Sequence, residues 1–283
     1  MGCGRWCGLG LLPVALMVTL SCSFLTTFII AWKEGHIDPA FPYISDTGAD
    51  PPESCVFTLM LSLCSFLVFC IVFVRYKQVA EYNKQDVLRV LRLNRWGSYV
   101  GYLAAFGMLV VASFQEIYVG VVHLTGATMT FAGGVVYGIM QCVMTYRMQA
   151  GQTTMQRGRL LLVRMVINLL TAICFVNTMV FMAVSHKQFH VENNYHLNAS
   201  MHWKKGDGGY EAHIASTVSE WAMGFLFAIF FLTFFKEFQR INLDVHIRLR
   251  LHEDFSFGVD RQPLNEGIAR LDEENNHGDD GVW

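Results

Sequence analysis

The chain has 283 residues, of which 53% are hydrophobic and only 16% charged, with 22 Phe. That composition lies well off the balance of a soluble domain and excludes a charge-rich disordered chain. The formal net charge of −2 carries little information, whereas the distribution of the charges along the chain carries a good deal.

The apolar residues gather into six stretches, each close to the ~20 residues that cross a bilayer as a helix. Backbone amides in lipid need internal partners, so these stretches are predicted helices, near 10–32, 54–75, 97–115, 119–143, 160–184 and 213–235. The fold class expected is all-α: a polytopic membrane protein with a six-transmembrane-helix bundle. Residues 1–245 form the membrane domain, and 246–283 form a charged, acidic, cytosolic tail low in aromatics and expected to be disordered.

The first span follows Arg5, as the core of a signal peptide would. The run from Leu9 to Trp32 exceeds the ~7–15 apolar residues of such a core, so the span is expected to be retained. Cys3 and Cys7, just before it, are candidate palmitoylation sites, while Trp6 at the position needing Ser or Thr argues against myristoylation.

Lys and Arg set the orientation. Arg75, Lys77, Lys84, Arg89, Arg92 and Arg95 lie between spans two and three, Arg147, Arg157 and Arg159 between four and five, and Lys236, Arg240, Arg248 and Arg250 after six. The other side carries Lys33, Lys187, Lys204 and Lys205. Both termini are therefore expected in the cytosol, with connections 33–53 and 185–212 lumenal or exterior. Asn198-Ala199-Ser200, a glycosylation sequon at Asn198, falls in the second of these. Most cysteines sit inside spans, where they act as small hydrophobes.

Small residues recur every four positions in span four, at Gly126, Thr130, Gly134 and Gly138. Span three has Gly97, Gly101 and Ala105, and the two series are expected to meet in an antiparallel hairpin. Ionisable residues within spans are costly, which makes them candidate sites. Gln115, Glu116, His123, His213 and Glu220 could converge in the lumenal leaflet as a carboxylate and imidazole cluster. It could serve chemistry, hold a headgroup, or be a hydrogen-bond network fixing helix register. Arg164 is expected to snorkel to the phosphates, and Asn168 and Asn177 to bond across helices. Six histidines fall on the lumenal side. His186 and His190 have the spacing of a metal pair, but no further residues complete a ligand set, so no metal is expected. No P-loop, dinucleotide fingerprint, nucleophile elbow, zinc-protease helix or inverted repeat is present, which leaves no cofactor to expect.

The first lumenal connection reads His36-Ile37-Asp38-Pro39, then Phe41-Pro42-Tyr43-Ile44-Ser45-Asp46-Thr47-Gly48, then Pro51-Pro52-Glu53-Ser54. Further on stand Arg75-Tyr76-Lys77, Ala112-Ser113-Phe114-Gln115-Glu116, His123, Gly126-Ala127, His202-Trp203, Tyr210, His213, Glu220-Trp221 and Phe231-Leu232-Thr233-Phe234. In this order, over residues 10–245, the chain resembles the damage-regulated autophagy modulator family. Ser113 stands where the family has Asn, and the acidic tail lacks a counterpart.

The resemblance implies a non-enzymatic regulator of autophagy in the lysosomal or endolysosomal membrane, sometimes linked to apoptosis. Pro42, Tyr43, Ser45, Asp46, Gly48 and Pro52 are the lumenal family motif, expected to present a turn-rich surface. Membrane lipids and proteins of the autophagy or trafficking machinery are the expected partners, and nucleic acid is not. The wider group includes proteins of GPI-anchor remodelling and phosphoinositide regulation. The alternative is therefore a lipid-handling protein of the plasma membrane or Golgi, using Glu116, His123 and Glu220.

Overall fold

A computed structural model describes residues 8–82, 88–148, 154–193 and 202–241, apart from the side chains of Thr154 and 190–193. Cys3, Cys7, Asn198 and the 246–283 tail lie outside the described residues. The helices are α1 (Leu11–Glu34), α2 (Glu53–Tyr82), α3 (Leu88–Ser113), α4 (Glu116–Arg147), α5 (Thr154–Asn193), α6 (Tyr210–Leu232) and the short α7 (Phe235–Phe238). Six helical segments are long and apolar enough to cross a membrane, the last spanning α6 and α7.

Several helices outrun the predicted spans. α2 continues past Arg75 to Tyr82, α3 begins at Leu88, and α5 extends in both directions. Apolar length reports the hydrocarbon crossing, whereas the helix persists wherever its backbone bonds are made, including through charged residues.

Each helix packs against its neighbours in sequence, and α1 closes on α6, giving a ring of six. One end of the ring carries the 35–52 connection and the α3–α4 turn; it is called the loop end here. The opposite end carries the basic residues. Between the ends an aromatic column along α6 and α7, Phe227, Phe231, Phe234 and Phe238, fills the interior beside Tyr137 of α4. The outward face of α5 exposes Leu162, Val166, Leu169, Ile173, Val176 and Val180 at helical spacing, as a lipid-facing surface does.

Polar bonds tie the helices where small residues let backbones approach. Ser65 and Thr58 of α2 donate to the Ala105 and Ala112 carbonyls of α3, and Ser216 of α6 donates to Thr178 of α5. The α3–α4 hairpin is tightest at Gly107 and Gly126, where a Cβ added at Gly107 would lie 2.6 Å from the Gly126 carbonyl oxygen. The small-residue series do not meet throughout. Gly97 faces α4 and Gly101 sits between Val72 of α2 and Tyr137 of α4, but Gly134 faces Phe227 of α6 and Gly138 faces Asn168 of α5. The four-residue ladder drifts around the α4 axis because the helix repeat is 3.6 residues.

At the basic end the expectation for Arg164 is overturned. Its side chain is 0% exposed, and it donates to Thr145 and Thr233 hydroxyls and to Glu237. Arg75, 1% exposed, donates to Gln141 at 2.9 Å and Gln78 at 2.6 Å and lies 3.4 Å from the same Glu237. Both guanidiniums sit over the Phe234 ring. An internal counter-charge removes the reason to snorkel: Glu237 bridges two arginines that would otherwise need phosphate or water. The run Tyr76-Lys77-Gln78-Val79, which fits a tyrosine-based sorting pattern, is helical, and Gln78 and Val79 are buried.

Candidate functional site

The loop end is built from the 35–52 connection and the helices that receive it. Gly35, in the left-handed conformation at φ 78°, ends α1, with its N–H and that of His36 on the last carbonyls of the helix. His36 then meets Glu53 at the start of α2 at 2.5 Å. That bond, more than any other influence, raises the imidazole pKa above its usual value.

Residues 42–49 are buried without a break. A buried loop must find partners for its backbone, and here side chains supply them. Glu220 of α6 accepts the Ile44 N–H at 2.8 Å, Asp46 accepts the Tyr43 N–H at 3.1 Å, and the Trp221 indole donates to the Pro42 carbonyl at 2.9 Å. Thr47 donates to the Ile44 carbonyl and shares a 3.0 Å hydrogen bond with Thr27 of α1. Gly48 lies against the Phe57 ring with no room for a Cβ. The family motif is thus a plug in the end of the ring, not a displayed surface. Pro42, Tyr43, Ser45, Asp46 and Gly48 face inward, while Phe41, Pro51 and Pro52 remain exposed.

The five residues expected to converge divide into two groups. Glu220 and His123 line one cavity of about 50 Å³, closed above by Ile44 and Ser45 and otherwise mostly apolar. Glu116 lies close enough to both Asp46 and Glu220 for its charge to act on them. Burial, then the charges of Glu116 and Glu220, raises the Asp46 carboxyl well above its ordinary range. His123 closes the α3–α4 turn through Nδ1, 2.6 Å from the Phe114 carbonyl, and Gln115 stands in extended conformation just before α4. His213 belongs elsewhere. Its ring stacks on Trp203 at 4.3 Å between centroids and meets Tyr43 edge-on. Seven residues put His213 and Glu220 on one helix face but two turns apart, so they meet successive parts of the loop.

Sequence reasoning missed Asp46 as part of this carboxylate group and Trp221 as a loop anchor. Both were visible within the family motifs, but nothing in their spacing said that the first connection folds into α6. Of the proposed metal pair, α5 does run on through His186 and His190, and the side chain of His190 is outside those described. No group of three metal-ligating side chains occurs among the described residues.

Residues 8–241 match the family described as Frag1/DRAM/Sfk1/Cwh43P N-terminal domain. The chain belongs to that family of multi-pass membrane proteins. It is 37% identical over 242 residues to DNA damage-regulated autophagy modulator protein 2 of Rattus norvegicus, covering 86% of this chain and 88% of that protein. The human protein of the same name is 35% identical over 264 residues, covering 93% and 96%. Human DNA damage-regulated autophagy modulator protein 1 is 30% identical over 238 residues, covering 84% and 94%. No solved structure matches.

Proposed function

We propose that this protein is a non-enzymatic regulator of autophagy, resident in the lysosomal or endolysosomal membrane, with the loop end facing the lumen and both termini in the cytosol. The observation that carries the reading is identity of 30–37% over most of the chain to proteins named as autophagy modulators. A contribution to apoptosis follows the same resemblance, and glycosylation at Asn198 follows from its sequon and the lumenal placement of its connection. Membrane lipids and proteins of the autophagy or trafficking machinery are the partners proposed.

The geometry favours regulation over catalysis. Glu220 and Asp46 each accept a loop amide through one carboxylate oxygen, and the cavity beside Glu220 and His123, about 50 Å³, has room for water rather than a lipid headgroup or an acyl linkage. The carboxylates thus have a structural use that needs no substrate, which weakens the lipid-handling alternative at this end. The loop plug also suits an acidic lumen, since both His36 and Asp46 hold their protons more tightly in the folded protein than free in water.

The test is the residence of a tagged copy together with autophagic flux after depletion. A lysosomal signal with altered flux supports the reading. A plasma membrane or Golgi signal with normal flux overturns it.

A further inference from the structure

The basic end holds a cleft of about 770 Å³ among α1, α2, α4, α5, α6 and α7. That is within the ~300–1,000 Å³ range of sites that enclose small ligands. Arg157, Arg159, Lys236 and Arg240 line it, and Glu237 is its one acidic residue among those described. Glu237 is not free to balance them, because it already bridges the buried Arg75 and Arg164. Among the described residues, the Arg75 Nη2 beneath the cleft meets the weak acceptor Met148 Sδ at 3.8 Å. Four cations therefore line the cleft against a single carboxylate, which the buried Arg75 and Arg164 already engage from within the bundle. Part of its remaining wall is polar, through Gln78, Thr145, Gln156 and Thr233, and part is apolar, through Leu160 and Val163 of α5, with Val163 47% exposed on the outward apolar face of that helix.

From this arrangement we infer that the cleft binds an anionic phospholipid. A phosphate-bearing headgroup sits among Arg157, Arg159, Lys236 and Arg240, and an acyl chain leaves past Leu160 and Val163. Arginine forks match phosphate oxygens in pairs, and a lysine adds a point charge. The adjoining hydrocarbon wall distinguishes a lipid from a free phosphate. Basic clefts between spans on the cytosolic side recognise acidic headgroups by this combination. The cations also gain a purpose that the internal Arg75–Glu237–Arg164 network does not need from them.

The full-length protein, purified in uncharged detergent, is titrated with dioctanoyl phosphatidic acid, with dioctanoyl phosphatidylcholine and with inorganic phosphate. Saturable binding of phosphatidic acid alone is expected, weakened at least tenfold in Arg157→Gln/Arg240→Gln and unchanged in Lys204→Gln/Lys205→Gln, whose lysines lie in the connection before α6. Should the first double variant not fold, Lys236→Gln, at an exposed position, carries the same test with a smaller loss. Inorganic phosphate binding as tightly as the lipid would make the ligand a soluble anion and overturn the lipid assignment. Equal binding of phosphatidylcholine, or no loss in the cleft variants, would show an adventitious amphiphile and overturn the site. An equal loss in the Lys204 and Lys205 variant would reduce the effect to general charge and overturn it too.

Discussion

Removing the Glu220 side chain separates two roles that a buried carboxylate can have. Glu220 accepts the Ile44 N–H at 2.8 Å and borders a cavity of about 50 Å³. Glu220→Ala leaves that amide buried without a partner, at about 1–3 kcal/mol. It also enlarges the cavity by roughly 60 Å³, which at about 24 cal/mol per Å³ adds about 1.4 kcal/mol. The sum, about 2.5–4.5 kcal/mol, lowers the melting temperature by roughly 5–18 °C at about 2–4 °C per kcal/mol. Glu220→Gln keeps a carbonyl oxygen for the same amide and nearly the same volume, so it costs under about 1 kcal/mol. Thermal unfolding followed by tryptophan fluorescence reads both variants, and Trp221, whose indole holds Pro42, reports the loop directly. A Gln variant as unstable as the Ala variant would refute the acceptor role. So would an Ala variant melting within 2 °C of the parent.

Two further outcomes follow from the same geometry. Glu237→Gln strands Arg75 and Arg164 in the interior and should cost about 3–5 kcal/mol, whereas replacing all three with Met should recover most of the loss. A triple variant less stable than the single one in thermal unfolding would contradict this. The loop end should also be more stable in acid. His36 has a raised folded-state pKa through its bond to Glu53, so its contribution is full below about 6.5 and is lost as pH rises through the folded value. Asp46, raised by burial and then by Glu116 and Glu220, binds a proton more tightly folded than unfolded. Its effect therefore has the same sign, with stability falling as pH rises from the free-carboxyl range through the folded value. Between pH 5 and pH 8 the melting temperature of Asp46→Asn and of His36→Gln should fall less, or rise more, than that of the parent. Profiles parallel to the parent's in both variants would sink the assignment.

The sequence by itself determined the number of spans and their order, because hydrocarbon length and backbone satisfaction leave little choice for a run of apolar residues. It also pointed to Glu116, His123 and Glu220, since charge in an apolar helix stands out whatever its partner. Partners were a different matter. Arg164 reads as a snorkelling residue on its own helix and becomes a buried bridge only when Glu237, 73 residues away, arrives at the same depth. Opposite charges at equal depth in spans five and six were the available signal, yet depth does not tell which faces meet.

The loop shows the same limit. Its Pro, Gly and Asp residues read as a displayed turn, because local turn chemistry is the same in water and in a plug. Tertiary structure alone decided that residues 42–49 turn inward, with the Ile44 amide on Glu220 across 176 positions of sequence. Periodicity fixes what each segment can bury. Which buried groups satisfy one another depends on how the ring closes, and that is a property of all six helices together.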